Sequence, residues 1–136
     1  MRKLIALVAL AAGVACSLNT DTSTGPLAGD LAGVYSLQSI DGRALPFTIV
    51  AKDTTVLIDT DVLTLGSNGA WAEAVQYRQT VGTAATTAEA FNLSGIWERA
   101  GNSVTFRTAN GLLYVGTATD TTLLLSDSQY HYVFKR

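Results

Sequence analysis

The 136-residue sequence predicts an all-β domain, a small antiparallel meander barrel of about eight strands, preceded by a signal peptide and a flexible tether. Three observations predict it. Beyond residue 15 the chain is rich in Thr, Val, Leu, Ala and Gly and poor in Lys and Glu. β-Branched residues suit strands, whereas Lys and Glu suit exposed helices. No stretch carries a sustained helical stripe of apolar residues, and turn signals recur at short intervals between short β-forming runs.

The chain opens with Arg2 and Lys3, an apolar run from Leu4 to Ala12, and the small residues Gly13 to Ala15 before Cys16, its only cysteine. A charged start, a short apolar run and a small-residue end form a secretory signal peptide. The run is too short to span a bilayer, which needs about 20 apolar residues. With Cys at the cleavage point, the segment resembles a bacterial lipoprotein signal. Val14 and Ala15 fit that pattern, and Gly13 stands where Leu is usual. The resemblance implies that residues 1–15 are removed. Cys16 would then be the mature N-terminus, with a diacylglyceryl group on its sulfur and an acyl chain on its amine. Ser17 rather than Asp follows, which in enterobacterial lipoproteins goes with the outer membrane. Two or more acyl chains anchor stably, at about 0.8 kcal/mol per buried CH₂.

Residues 16–30 continue as small, polar and aperiodic sequence and read as a tether. The domain then occupies residues 31–136, enough for one core. Seven Lys/Arg and eleven Asp/Glu lie beyond residue 15, a net charge of −4, and no basic cluster forms. That argues against nucleic-acid binding. With Cys16 lipidated no disulfide can form, so packing alone must hold the fold.

Asp41-Gly42 ends the first strand, Val34 to Ile40. Ser67-Asn68-Gly69 separates Val62–Leu65 from Trp71–Tyr77, and Ala100-Gly101-Asn102 separates Ser94–Glu98 from Ser103–Arg107. Asn110-Gly111 leads into Leu112–Thr117, Thr119-Asp120 into Thr122–Leu125, and Asp127-Ser128 into Tyr130–Phe134. Gly and Asn tolerate the positive φ that tight hairpins require. Alternation assigns faces: Trp71, Glu73, Val75 and Tyr77 share one, opposite the Ala-rich face of Ala70, Ala72, Ala74, Gln76 and Arg78. That Ala-rich face either packs on a neighbour or leaves room inside a barrel. Val81 to Glu89, mostly Thr, Ala and Gly, reads as a longer connection with room for one helical turn. Closing the meander would remove its exposed edges.

Leu31 to Pro46, with its Gly33-Val34-Tyr35-Ser36-Leu37 strand, and the aromatic last strand Tyr130 to Arg136 resemble the small lipocalin-like lipoproteins of bacterial envelopes. In lipocalins a Gly-x-Trp in the first strand packs on a basic residue near the barrel's end. Gly33 and Tyr35 stand at that place, with Tyr for Trp, while Gly95-Ile96-Trp97 lies mid-chain. The resemblance implies a fold, and a fold does not fix a function.

The chemistry-bearing residues are few. His131 is the only histidine, and no Gly-x-Ser-x-Gly elbow accompanies it, so it reads as a surface or rim residue. One His cannot build a zinc site. Asp53, Asp59 and Asp61 lack the spacing of a calcium loop, and Asp59-Thr60-Asp61 reads as a solvated turn. Glu73 and Glu98 read as outward-facing strand charges. No catalytic set, metal site or cofactor is assigned. An eight-stranded barrel either fills with side chains or holds one small ligand. The first expectation is therefore a non-enzymatic, lipid-anchored envelope binding module. A small apolar ligand would be lined by Trp71, Tyr77, Trp97, Phe106, Tyr114 and Tyr132. The alternative is a filled barrel that docks an envelope protein.

Overall fold

A computed structural model describes residues 31–136; the signal peptide, Cys16 and the tether lie outside the described residues. Ten strands form one antiparallel sheet: β1 (Gly33–Ile40), β2 (Arg43–Ala44), β3 (Phe47–Ala51), β4 (Thr54–Leu65), β5 (Ala70–Val81), β6 (Thr87–Ala100), β7 (Ser103–Thr108), β8 (Gly111–Ala118), β9 (Thr122–Ser126) and β10 (His131–Lys135). Strands β4 to β10 pair in chain order, and β1 joins β10 to β4. This closes a barrel of eight antiparallel strands, with β2 and β3 as short extensions on β1 and β4.

β1 closes the barrel by dividing its length. Gly33–Ser36 pairs with Leu65–Val62 of β4, and Ser36–Ile40 pairs with Lys135–Tyr132 of β10. A bulge between Leu37 and Ser39 lets Tyr35, Leu37 and Ile40 all point inward. The turns obey local chemistry. Asp41 and Gly42 have φ of 49° and 74°, both positive, as a type I′ hairpin demands. The Gly101-Asn102 turn places the glycine first, with φ of 62°.

The interior is filled by Tyr35, Leu37, Ile40, Phe47, Leu63, Leu65, Trp71, Trp97, Phe106, Leu123, Leu125 and Phe134, with Leu31 buried beside them. Burying each such side chain contributes about 1.5–3 kcal/mol. At the base, where the chain enters, the Tyr35 hydroxyl donates to the Leu31 carbonyl at 2.9 Å. The Arg136 guanidinium lies 5.6 Å above the Tyr35 ring and donates to the Ala32 carbonyl at 3.1 Å. The Trp97 indole N–H donates to Gly66 O at 3.1 Å, and that of Trp71 is shared between Ile96 O and Arg107 O at 3.0 and 3.1 Å.

The Ala-rich face of β5 is the outer surface, and the face of Trp71, Glu73 and Val75 looks inward. Two expectations are corrected. No helical turn occurs between Val81 and Glu89: after a short turn, β6 starts at Thr87 and runs beside β5 as far as Gln79. Asp59-Thr60-Asp61 is not a turn but the middle of β4.

Gly95 fixes how closely β6 and β7 approach. A Cβ there would stand 1.8 Å from the Arg107 carbonyl oxygen and 2.9 Å from the Trp71 indole nitrogen. Neither can yield without breaking the shared hydrogen bond. Gly95→Ala is expected to destabilise the domain by about 3 kcal/mol in urea unfolding. A midpoint equal to that of the parent would show that this contact is looser than described.

Candidate functional site

The structure brings four of the six aromatic candidates together, but against one another. Trp71 meets Phe106 edge-to-face at 5.8 Å, Phe106 meets Tyr114 at 6.2 Å, and Tyr114 meets Tyr132 at 5.4 Å. The chain continues through Tyr130 to Phe47. Edge-to-face pairs of this kind are self-sufficient, each worth about 0.5–1.5 kcal/mol beyond burial. Trp97 is buried, with its indole committed to Gly66 O. Tyr77 stands apart on the outer part of β5, where it meets Phe91 of β6 at 5.8 Å.

Inside the barrel sits a feature that sequence reading assigned elsewhere. Glu73, expected to face outward, is 2 % exposed, and Asp61 is 6 % exposed. The cause of the second is a bulge in β4. Ile58 pairs with Tyr77 and Thr60 with Gln76, leaving Asp59 extra. One extra residue reverses the inward parity, from Ile58 before it to Asp61, Leu63 and Leu65 after it. Asp59 itself turns outward and forms a two-pronged ion pair with Arg78 at 2.6 and 2.8 Å.

Asp61 stands opposite Val75 and Glu73 opposite Leu63, so the two acids are diagonal neighbours on the inner face of adjacent strands. Tyr114 donates its hydroxyl to Glu73, 3.0 Å from Oε1 and 3.3 Å from Oε2. Asp61 Oδ1 is buried and has no hydrogen-bond partner among the described residues. Burial first, then the neighbouring Glu73 charge, push Asp61 up to about 8. Burial also raises Glu73, partly offset by its hydrogen bonds with Tyr114 and Asp61. At neutral pH the pair therefore holds a proton. Tyr132, in ring contact with Tyr114, donates at 2.7 Å to Asp127 in the β9–β10 turn.

A second feature lies on the barrel wall. β6 pairs with β5 from Thr87 to Ile96, but with β7 only from Ile96 to Ala100. Among the described residues, Thr87–Ser94 has no strand on its other edge. The Trp97 N–H donates to Gly69 O on the β5 side. By the two-residue period of a strand, the backbone groups of Ala88, Ala90, Asn92 and Ser94 point to the open edge. Beside it runs a groove of about 460 Å³ between Asn92, Leu93 and Ser94 and the β7–β8 turn with Leu112. Phe91, on the inward-facing parity of this segment, is 45 % exposed.

His131 lies exposed at the rim with Nδ1 2.7 Å from the Ser126 hydroxyl. Asp41 bonds the His131 backbone N–H rather than its ring. Glu98 is exposed on β6. Glu73 had a signal in the sequence, its shared face with Trp71 and Val75; Asp61 had none, because a bulge sets its direction.

No family model matches the chain, and neither does any curated protein or solved structure.

The acid pair couples stability to pH. A carboxyl whose folded pKa is raised stabilises fully below its unfolded pKa, and this is lost as pH rises through the folded value. Unfolding free energy is expected to fall between about pH 4 and pH 8 through Asp61. Asp61→Asn should flatten that slope and exceed the parent by about 2 kcal/mol at pH 9. Equal pH slopes in urea titrations of the two proteins would contradict the assignment.

Proposed function

We propose that this is a non-enzymatic, lipid-anchored module of a bacterial envelope, whose filled barrel docks an extended strand of an envelope protein on the open edge of β6. The observation that carries the reading is the contrast between interior and wall. The interior aromatics are spent on one another, whereas Thr87–Ser94 leaves a row of backbone donors and acceptors that no strand among the described residues pairs.

Proteins blunt free strand edges with Lys, Pro, bulges or cover. This edge has no Lys, Arg or Pro, no bulge against β5, and Glu89 as its one charge. Strand addition uses such an edge: main-chain bonds give affinity, and pockets for alternate side chains give selectivity. The groove by Leu93 and Leu112 and the half-exposed Phe91 would receive apolar side chains. The Arg136 guanidinium over Tyr35, beside Gly33, supports the lipocalin-like reading of the fold. The anchor rests on the resemblance of the Cys16 segment to a lipoprotein signal, and Ser17 after it supports the outer membrane as its location.

A small apolar ligand retains one specific foothold, the Tyr77–Phe91 pair beside the same groove. A fluorescent apolar probe quenched on binding, and released by Phe91→Ser, would favour that reading over a protein partner.

Two outcomes are expected. Ala90→Pro removes an edge-facing N–H without touching the β5 ladder, so the variant should fold yet lose at least tenfold in crosslinking to its envelope partner in intact cells. Wild-type crosslinking by a folded Ala90→Pro protein would exclude the β6 edge. Cys16→Ser should shift the protein from the membrane to the soluble fraction; unchanged partitioning would remove the lipid anchor.

A further inference from the structure

Strand addition at β6, the reading on which the next step rests, does not say whose strand is added. The free edge itself restricts the answer. The backbone groups of Ala88, Ala90, Asn92 and Ser94 face away from β5, and the stretch they occupy is bounded at both ends. At one end the strand begins with Thr87; at the other, Ile96 already pairs with Arg107 of β7. The midpoint of the four edge-facing residues is Phe91, a half-exposed aromatic in ring contact with Tyr77. The edge is therefore symmetric about one residue.

We infer that the occupant of this edge is β6 of a second copy of the chain, paired antiparallel about a two-fold axis at Phe91. Such an interface is isologous, each strand giving its twin what it receives. In this register Ala88 stands opposite Ser94 of the second copy and Ala90 opposite Asn92, each pair occurring twice. A hydrogen-bonded antiparallel pair exchanges two bonds, so about eight form and none of the four edge-facing residues is left over. Neighbouring registers do worse. An axis at Ala90 would need residue 86, outside the strand, to meet Ser94; one at Asn92 would need Ile96, committed to β7, to meet Ala88. An axis at Glu89 would set the only charge of Thr87–Ser94 against itself. About Phe91, each Glu89 faces Leu93 instead, and the two carboxylates stand four residues apart along the strands. That is about 13 Å, beyond the screening length of about 8 Å in physiological salt. Phe91 falls in a non-hydrogen-bonded pair, where opposite side chains come closest, and meets its own twin. With Tyr77 of each copy, four rings cluster where one pair now stands half-exposed. On the outer face Ala88, Ala90, Asn92 and Ser94 are small enough not to hinder the approach. Pairing uses up both edges, so assembly stops at two.

One strand pair makes a small interface, so pairing is weak, half-formed at roughly 0.1 mM, and the dilute protein keeps its edge free. The test is sedimentation velocity on the purified full chain carrying Cys16→Ser, which removes its only native thiol. The expected result is a reversible monomer–dimer equilibrium that Ala90→Pro abolishes. Cysteine trapping in the same background reads the register. Phe91→Cys should form a disulfide-linked dimer at least about tenfold faster than Ser94→Cys, because Cβ atoms paired at the axis lie about 5 Å apart and those of residue 94 about 20 Å. A protein still monomeric at about 1 mM, ten times the expected midpoint, would overturn the inference. So would a dimer that Ala90→Pro leaves intact, or equal trapping at both positions. Amide exchange separates this failure from failure of the docking reading. A monomer whose Ala88, Ala90, Asn92 and Ser94 exchange fast still offers its edge to a foreign strand. One in which they are protected at every concentration offers it to none.

Discussion

Barrel closure by β1 is the constraint on which everything else rests. A strand of eight residues serves two neighbours, zipping its first half to β4 and its second half to β10. Closure converts a meander into an inside and an outside, and every strand must then be read by parity. A one-residue error in register would carry a whole strand's apolar set to water. Of the three register shifts among the described residues, two handle the exceptions. The bulge in β1 keeps Leu37 and Ile40 inside together, and that in β4 turns Asp61 in and Asp59 out. The same device that makes the core continuous thus also puts an acid within it.

The interior divides its space between two kinds of contact. Aromatic rings stack edge-to-face from Trp71 near the base to Tyr130 and Phe47 at the rim. Their polar tips are matched: tryptophan N–H groups to carbonyls, the Tyr114 hydroxyl to Glu73, the Tyr132 hydroxyl to Asp127. Asp61 is the interruption. It is buried at a cost that a hydrocarbon side chain of similar volume would avoid, and it lies among residues that otherwise satisfy one another.

The hairpins, the face alternation of β5 and the meander itself were legible because each depends on local chemistry. Asp41-Gly42 is a turn wherever it sits, and Trp71, Val75 and Tyr77 alternate whatever lies opposite. Glu73 was misjudged because carboxylates are exposed by default, although its own strand placed it with Trp71. Asp61 was beyond reach, since nothing in Asp59-Thr60-Asp61 announces a bulge. The start of β6 was hidden for a physical reason as well. Thr87–Asn92 is exposed throughout, so it has no buried face to impose an apolar pattern. That the edge is open depends on where β7 ends relative to β6, which is a property of the closed sheet and not of either strand.

Among the described residues the wall of the barrel is open along β6. Amide hydrogen exchange resolved to single residues tests it most directly. Alternation is expected, with Glu89, Phe91 and Leu93 protected by β5 and Ala88, Ala90, Asn92 and Ser94 exchanging at least tenfold faster. Uniform protection from Thr87 to Ser94 would mean that another strand already covers the edge, and would contradict it.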